Sequence, residues 1–224
     1  MSWNPDLPER MRRDWDERAR ENARYYVATA QEQWSDEEFY RSGQLTVAGE
    51  VLTDMENICR GRDPKRMRVL EIGCGAGRIT RALADIFGEA YGVDVSGEMV
   101  RQARLALADR PNAHVFHNNG VDLSVLGDVT FDFAFSVIVF QHVPSQAVVE
   151  NYVREVHRRL GPEDLFKFQV QGFTALARTP DDTWLGAPFS EADAEQMAAR
   201  TGFDLRYRTG AGEQYFWLWY FKKG

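Results

Sequence analysis

Glu71, Gly73, Gly75 and Gly77, with an aspartate further on at position 94, are the residues of this 224-residue sequence whose types and spacing point most directly to chemistry. In the run VLEIGCGAGRITR, from Val69 to Arg81, the three glycines alternate with Cys74 and Ala76. The backbone can therefore turn tightly there and approach a ligand with no Cβ in the way. In dinucleotide-binding folds an acid about 20 residues after such a turn meets a ribose hydroxyl, and Asp94 lies 17 positions beyond Gly77. A dinucleotide fingerprint also needs a third glycine three places after the second. That position is Arg78 here, whose side chain would obstruct the approach to a pyrophosphate. The pattern thus disfavours NAD; the plainer alternative is a strand-turn-helix in which the glycines serve geometry only.

The elements that must position these residues follow from hydrophobic pattern. Val69, Leu70 and Ile72 suit a strand buried on both faces, and Ile79, Ala82, Leu83, Ile86 and Phe87 fall on one face of the helix after it. Further strands are expected at AYGVDV, AHVFH, FDFAFSVIVF, LFKFQVQG, FDLRYRT and QYFWLWYFK. Ser96, Ser145 and Ser190 are candidate caps of the intervening helices, and Gly202 is a stop. His157 reads as a surface residue of its helix. An irregular stretch containing Trp184 and two prolines follows the fifth strand. Strands alternating with helices imply an α/β, doubly wound, mostly parallel seven-stranded sheet, Rossmann-like, closed by a C-terminal antiparallel hairpin. This accounts for residues 63–224. Residues 1–62 are expected to form an N-terminal helical cap: one amphipathic helix carries Trp15 to Val27, Trp34, Phe39 and Tyr40 sit in an acidic linker, and another helix ends near Gly61.

Glu71-x-Gly73-x-Gly75-x-Gly77 followed by Asp94 resembles the first two motifs of the class I S-adenosylmethionine-dependent methyltransferases, and the resemblance spans residues 66 to 224. The N-terminal helices are similar to those that cover the cofactor in the small-molecule type. The resemblance implies S-adenosylmethionine as cofactor, S-adenosylhomocysteine as product, and a cofactor site at Glu71, Gly73, Cys74, Gly75, Gly77, Asp94, Val95 and Met99. In that family a loop after the third strand holds the adenine, which by register places Asn119 at the exocyclic amine and Gly120 as a backbone donor; an Asn-rich turn is the alternative. Ends of parallel strands gather at one crevice, which brings Ser136, Gln141 and His142 near the ligand. Tyr25 and Tyr26 border the methionine end or the acceptor, or are ordinary core aromatics. A methyl sulfonium is already activated, so no nucleophile triad or metal is required: the protein aligns a lone pair and excludes water. His142 is the candidate general base, with Tyr26 as a second catalytic candidate and a structural role for His142 left open. His114 and His117 read as packing residues.

A net charge of −7 and a sequence pI near 5.2 argue against a nucleic-acid partner, whose affinity comes largely from phosphate neutralisation. The expected acceptor of a methyl group is a small molecule, at O or N. The sequence shows neither a membrane span nor a signal peptide, and its two cysteines make no framework. A cytoplasmic protein, monomer or homodimer, is expected. A non-catalytic module that binds the nucleoside, and less favourably a NAD-dependent oxidoreductase, are the competing readings. The aromatics of residues 1–60 have a physical use beside a sulfonium, so that segment is expected to act as a lid.

Overall fold

The structure, a computed structural model, describes residues 4–173 and 182–224. Three helices come first: α1 (Leu7–Val27), α2 (Asp36–Glu50) and, after a turn of 3₁₀-helix, α3 (Met55–Cys59). Pro8 sits in the first turn of α1, where the missing N–H costs nothing. Near its end α1 kinks at Asn22, whose backbone is extended. Phe39 and Tyr40 lie within α2 rather than in a linker. The helix starts at a capping box, in which Ser35 accepts from the Glu38 N–H and Glu38 reaches back to Ser35.

Alternation then begins: β1 (Arg68–Ile72), α4 (Arg78–Ile86), β2 (Glu89–Asp94), α5 (Gly97–Ala106), β3 (Ala113–His117), β4 (Phe131–Ser136), α6 (Gln146–Arg159) and β5 (Leu160–Gln171). The chain closes with α7 (Glu191–Thr201), β6 (Phe203–Thr209) and β7 (Tyr215–Lys222). The seven strands form one sheet in the order β3-β2-β1-β4-β5-β7-β6. The first five are parallel, and β7 slots antiparallel between β5 and β6, pairing Phe168 with Leu218 and Val170 with Phe216. Because β4 lies beside β1 while β2 and β3 extend the other way, the chain reverses direction between β1 and β4, and a crevice opens at their carboxyl ends.

Ser96 and Ser190 cap α5 and α7 as expected, and Gly202 ends α7 in the left-handed region. Ser145 precedes α6 without donating or accepting a capping bond. His157 is half-buried against the Phe203 ring rather than on the surface. The fourth strand ends sooner than its apolar run suggests: beyond Ser136 the chain turns, with Ile138 at φ 56°. A β-branched residue in that region is strained, and here the Gln169 side chain anchors it by accepting from the Ile138 N–H. Residues 174–181 of the irregular stretch lie outside the described residues.

Candidate active site

The crevice between β1 and β4 contains one pocket that gathers much of what the sequence singled out. Its floor is Glu71 to Gly75, one wall is Asp94, Val95 and Met99, and another is Val137 to Phe140 with His142. From above, α1 supplies Met11, Trp15, Tyr26 and Val27. The glycine turn works by close approach: a Cβ on Gly73 would stand 2.2 Å from the Val139 side chain, and one on Gly75 2.6 Å from Val27. Gly77 has a different task. It starts α4 with a positive φ and lets α5 pack close, since a Cβ there would stand 3.3 Å from Ala103; it does not line the pocket.

Asp94 ends β2, and its two carboxylate oxygens accept from the N–H groups of Gly75 and Ser96, each at 2.8 Å. Each oxygen keeps a lone pair for a ligand hydroxyl. Glu71 is buried and accepts from Thr80 Oγ1 at 2.5 Å; burial pushes its pKa up to about 8. Cys74 is a buried thiol, its pKa raised well above the ordinary value by burial, and so it is unreactive.

After β3 the side chain that reaches the pocket is Asn118, one residue before the expected one. Asn118 donates to the Tyr152 hydroxyl at 2.7 Å, while its own carbonyl oxygen is buried with no partner. Asn119 is exposed, and its Oδ1 accepts from the Val121 and Asp122 N–H groups. It therefore forms the Asn turn weighed as the alternative. Gly120 faces Val95 rather than the pocket. Ser136 is spent within the sheet, donating to the Ile72 carbonyl at 3.0 Å. Tyr25 packs edge-on to Tyr26 outside the pocket wall.

The surroundings of His142 fit the structural role left open for it better than that of a general base. Buried, it holds the Trp184 carbonyl through Nδ1 at 2.6 Å, which makes Nδ1 the protonated nitrogen and Nε2 the acceptor. That lone pair is taken by the Gln141 side-chain amide at 3.2 Å. Gln141 in turn accepts from Gln169 at 2.7 Å, whose oxygen holds Ile138. Gln141 is thus a link in this chain, not a pocket residue. Burial lowers the His142 pKa to about 4, so it is neutral and a weak base. Its ring instead completes an aromatic group: 5.2 Å from Trp15 and 4.9 Å from Trp184, with Tyr26 5.9 Å from Trp184. The Tyr26 hydroxyl donates to Glu21, which raises its pKa and leaves it a phenol.

A family profile described as "Methyltransferase domain" matches residues 69–163, the segment holding the glycine turn, Asp94 and the His142 rim. Residues 69–163 are thus similar to a methyltransferase domain. Over 72 residues, 32% of this chain and 27% of the relative, it is 33% identical to dTDP-3-amino-3,6-dideoxy-alpha-D-glucopyranose N,N-dimethyltransferase of Streptomyces fradiae. The chain as a whole is similar in fold to magnesium protoporphyrin IX methyltransferase from Synechocystis PCC 6803, solved with bound SAM. That match has a TM-score of 0.68 and 17% identity, and covers 100% of both chains. An amino pentose methyltransferase from Micromonospora echinaspora, also SAM-bound, matches with a TM-score of 0.65 and 15% identity over 85% of this chain and 98% of that one.

Three residues of the pocket were not singled out for it by the sequence. Asn118 was hidden by a one-residue ambiguity in register at a strand end. Trp15 was visible only as part of an aromatic face. Arg78, noted as an obstacle to pyrophosphate, turns out to line the pocket beside Glu71. Its conflict with the glycine fingerprint was the signal that could have found it.

Proposed function

We propose that this chain is an enzyme that binds S-adenosylmethionine and transfers its methyl group to a nitrogen or oxygen atom of a small molecule. The observation that carries this reading is the meeting, at the β1/β4 crevice, of the Asp94 carboxylate, the close-packed glycine turn and an aromatic chamber roofed by α1. The residues fit the cofactor. Asp94 has acceptor capacity for two ribose hydroxyls, and the orphaned Asn118 oxygen is an acceptor of the kind an adenine amine needs. Trp15 and Tyr26 stand where aromatic faces can favour a sulfonium by about 0.5 to 2 kcal/mol. When bound, the cofactor supplies an activated methyl group; the chain's residues hold it, orient the acceptor and keep water out.

Nitrogen is the favoured acceptor atom. A hydroxyl needs a base to take its proton in the transition state, and the one histidine in the chamber is a weak base with its lone pair engaged. An amine entering neutral has its own nucleophilic lone pair. Two relatives whose names specify amino sugars agree with this preference. The net charge of −7 supports a metabolite over a nucleic acid. A cytoplasmic location belongs to the same reading, since Cys59 and Cys74 are both free. Among the described residues no helix is long and apolar enough to cross a membrane.

Isothermal titration with S-adenosylmethionine and S-adenosylhomocysteine tests the binding half, and product formation with a panel of amino-sugar and phenolic acceptors tests the transfer. Asp94→Ala should weaken binding roughly tenfold to a hundredfold, the worth of a charged hydrogen bond. No binding at millimolar concentration would end the proposal. Binding without turnover on any acceptor would favour a nucleoside-binding module.

A further inference from the structure

Helix α1 carries six arginines, and five of them stand beside a carboxylate: Arg10 and Arg13 by Asp14, Arg12 by Glu9, Arg20 by Asp16 and Arg24 by Asp36. Among the described residues Arg18 has no such partner. Its Nη1 donates to the carbonyl and the hydroxyl of Thr183, at 3.3 and 3.1 Å, and its guanidinium lies over two indoles, 4.8 Å from the Trp15 ring and 5.5 Å from that of Trp184. The acids that act on it most are engaged elsewhere: Asp14 accepts from the Thr183 hydroxyl, and Asp182 from the N–H groups of Trp184 and Leu185. The other edge of the fork, Nε and Nη2, bonds to no described residue, and neither atom is closed off from solvent. Two aromatic faces and a threonine thus fix one guanidinium. They leave free the edge that takes a carboxylate or phosphate through two parallel hydrogen bonds.

This edge stands at the aromatic side of the pocket. Trp15 lines the pocket and meets the His142 ring at 5.2 Å, Trp184 meets the same ring at 4.9 Å, and Tyr26 meets Trp184 at 5.9 Å. Arg18 and the chamber therefore share two aromatic walls, and one indole separates the guanidinium from His142. With the glycine turn, Asp94 and Asn118 assigned to the cofactor, the aromatic side is what remains for the acceptor. Resting on the reading of this pocket as the site of methyl transfer to a small molecule, we propose that Arg18 binds an anionic oxygen group, a carboxylate or a phosphate, on the acceptor. The acceptor class is then an amine whose anionic group lies about an indole's width from its nitrogen. In a chain of net charge −7 the overall field does not attract an anion, so a fixed cation at the mouth is what selects one. Arg18 sets specificity and takes no part in making the new bond.

The probes are inorganic phosphate and acetate, titrated at constant ionic strength while the indole N–H signals of Trp15 and Trp184 are followed by NMR. Both signals should shift saturably in the wild type with at least one of the anions. Arg18→Gln should weaken that binding roughly tenfold or more, the worth of a charged hydrogen bond. Arg18→Lys keeps the charge without the fork and should fall between the two, and it decides in the same way if Arg18→Gln does not fold. Arg12→Gln, at an exposed arginine of the same helix, should change nothing. A response to phosphate alone names the phosphate, and one to acetate alone the carboxylate. Turnover gives a second readout, with glucosamine against glucosamine 6-phosphate and tyramine against tyrosine: the anionic member should be the better acceptor, and Arg18→Gln should remove the preference. No saturable shift with either anion would overturn the proposal. So would a response that Arg18→Gln leaves intact, one that Arg12→Gln diminishes as far, or a neutral amine methylated as readily as its anionic counterpart. The anion titration needs no cofactor, so failure at Arg18 and failure of the cofactor reading, seen as no binding of S-adenosylhomocysteine, are separate results.

Discussion

Two buried residues of the site have pKa values displaced in opposite senses by the same cause. Burial penalises whichever form is charged, so Glu71 is raised from 4.5 to about 8 and His142 lowered from 6.5 to about 4. The consequences for stability differ in sign. Between pH 4.5 and 8 the unfolded chain releases the Glu71 proton while the folded chain holds it, so this residue's contribution to stability falls as pH rises. Glu71→Gln should flatten that fall, measurable as denaturant midpoints at pH 5 and pH 8, and should be the more stable protein at the higher pH. For His142 the unfolded chain takes a proton below pH 6.5 and the folded one does not until about pH 4, so stability is lost on acidification through that window. His142→Gln should lessen the acid loss. The same shift predicts that turnover in the wild type has no limb near pH 6.5 that this variant removes. Such a limb would restore His142 as a base.

At the scale of elements, the site depends on how the cap is fixed to the sheet. Asp16 on α1 accepts from Ser96 Oγ at 2.6 Å and the Glu98 N–H at 3.0 Å, placing a negative charge at the start of α5. Farther along, Arg18 donates to Thr183, and Thr183 donates to Asp14. These contacts hold Trp15 over the pocket. The second attachment is α2 on α4, made through Gly43. Gly43→Ala places a methyl group 2.3 Å from the Arg78 carbonyl oxygen, so one helix must move. Overpacking of this kind costs about 1 to 3 kcal/mol, which chemical denaturation would read directly. A variant as stable as wild type would show that the helices part without strain.

For the whole molecule, the cap is part of the core as well as the roof of the pocket. Leu7 and Met11 of α1 are buried in the main cluster with Leu123 and Val143. Met11 also lines the pocket, so the pocket and the core share one surface. Ligand binding should therefore tighten α1. At a concentration about 100 times Kd, S-adenosylhomocysteine should add about 2.7 kcal/mol of stability. For a chain this long that is roughly 5 to 10 °C in Tm. Amide exchange should slow in residues 7–27, where Trp15 and Tyr26 meet the pocket, besides the glycine turn. A rise in Tm with exchange in 7–27 unchanged would mean that α1 is a fixed wall and not a lid.

What the sequence determined by itself is everything encoded over short range. The strand-turn-helix from Val69 to Ile86, Asp94 at a strand end, the caps at Ser96 and Ser190 and the antiparallel close all follow from periodicity and from residues whose backbone preferences are strong. The capping box at Ser35 and Glu38 is equally local, set within an acidic run. What only the tertiary structure decided is where each strand stops and which side chains then converge. Val137 to Phe140 continue an apolar run but leave the sheet, because a glutamine 31 residues later captures the Ile138 N–H. That bond leads through Gln141 to His142 and engages the lone pair of its Nε2. Asn118 and Asn119 are equivalent in sequence; the fold directs one to Tyr152 and folds the other into a turn. Arg78 becomes a pocket residue because helix α2, far off along the chain, approaches within reach of its guanidinium. Such roles depend on contacts between distant segments, and burial, which sets the charge state of each group, exists only once those segments have packed.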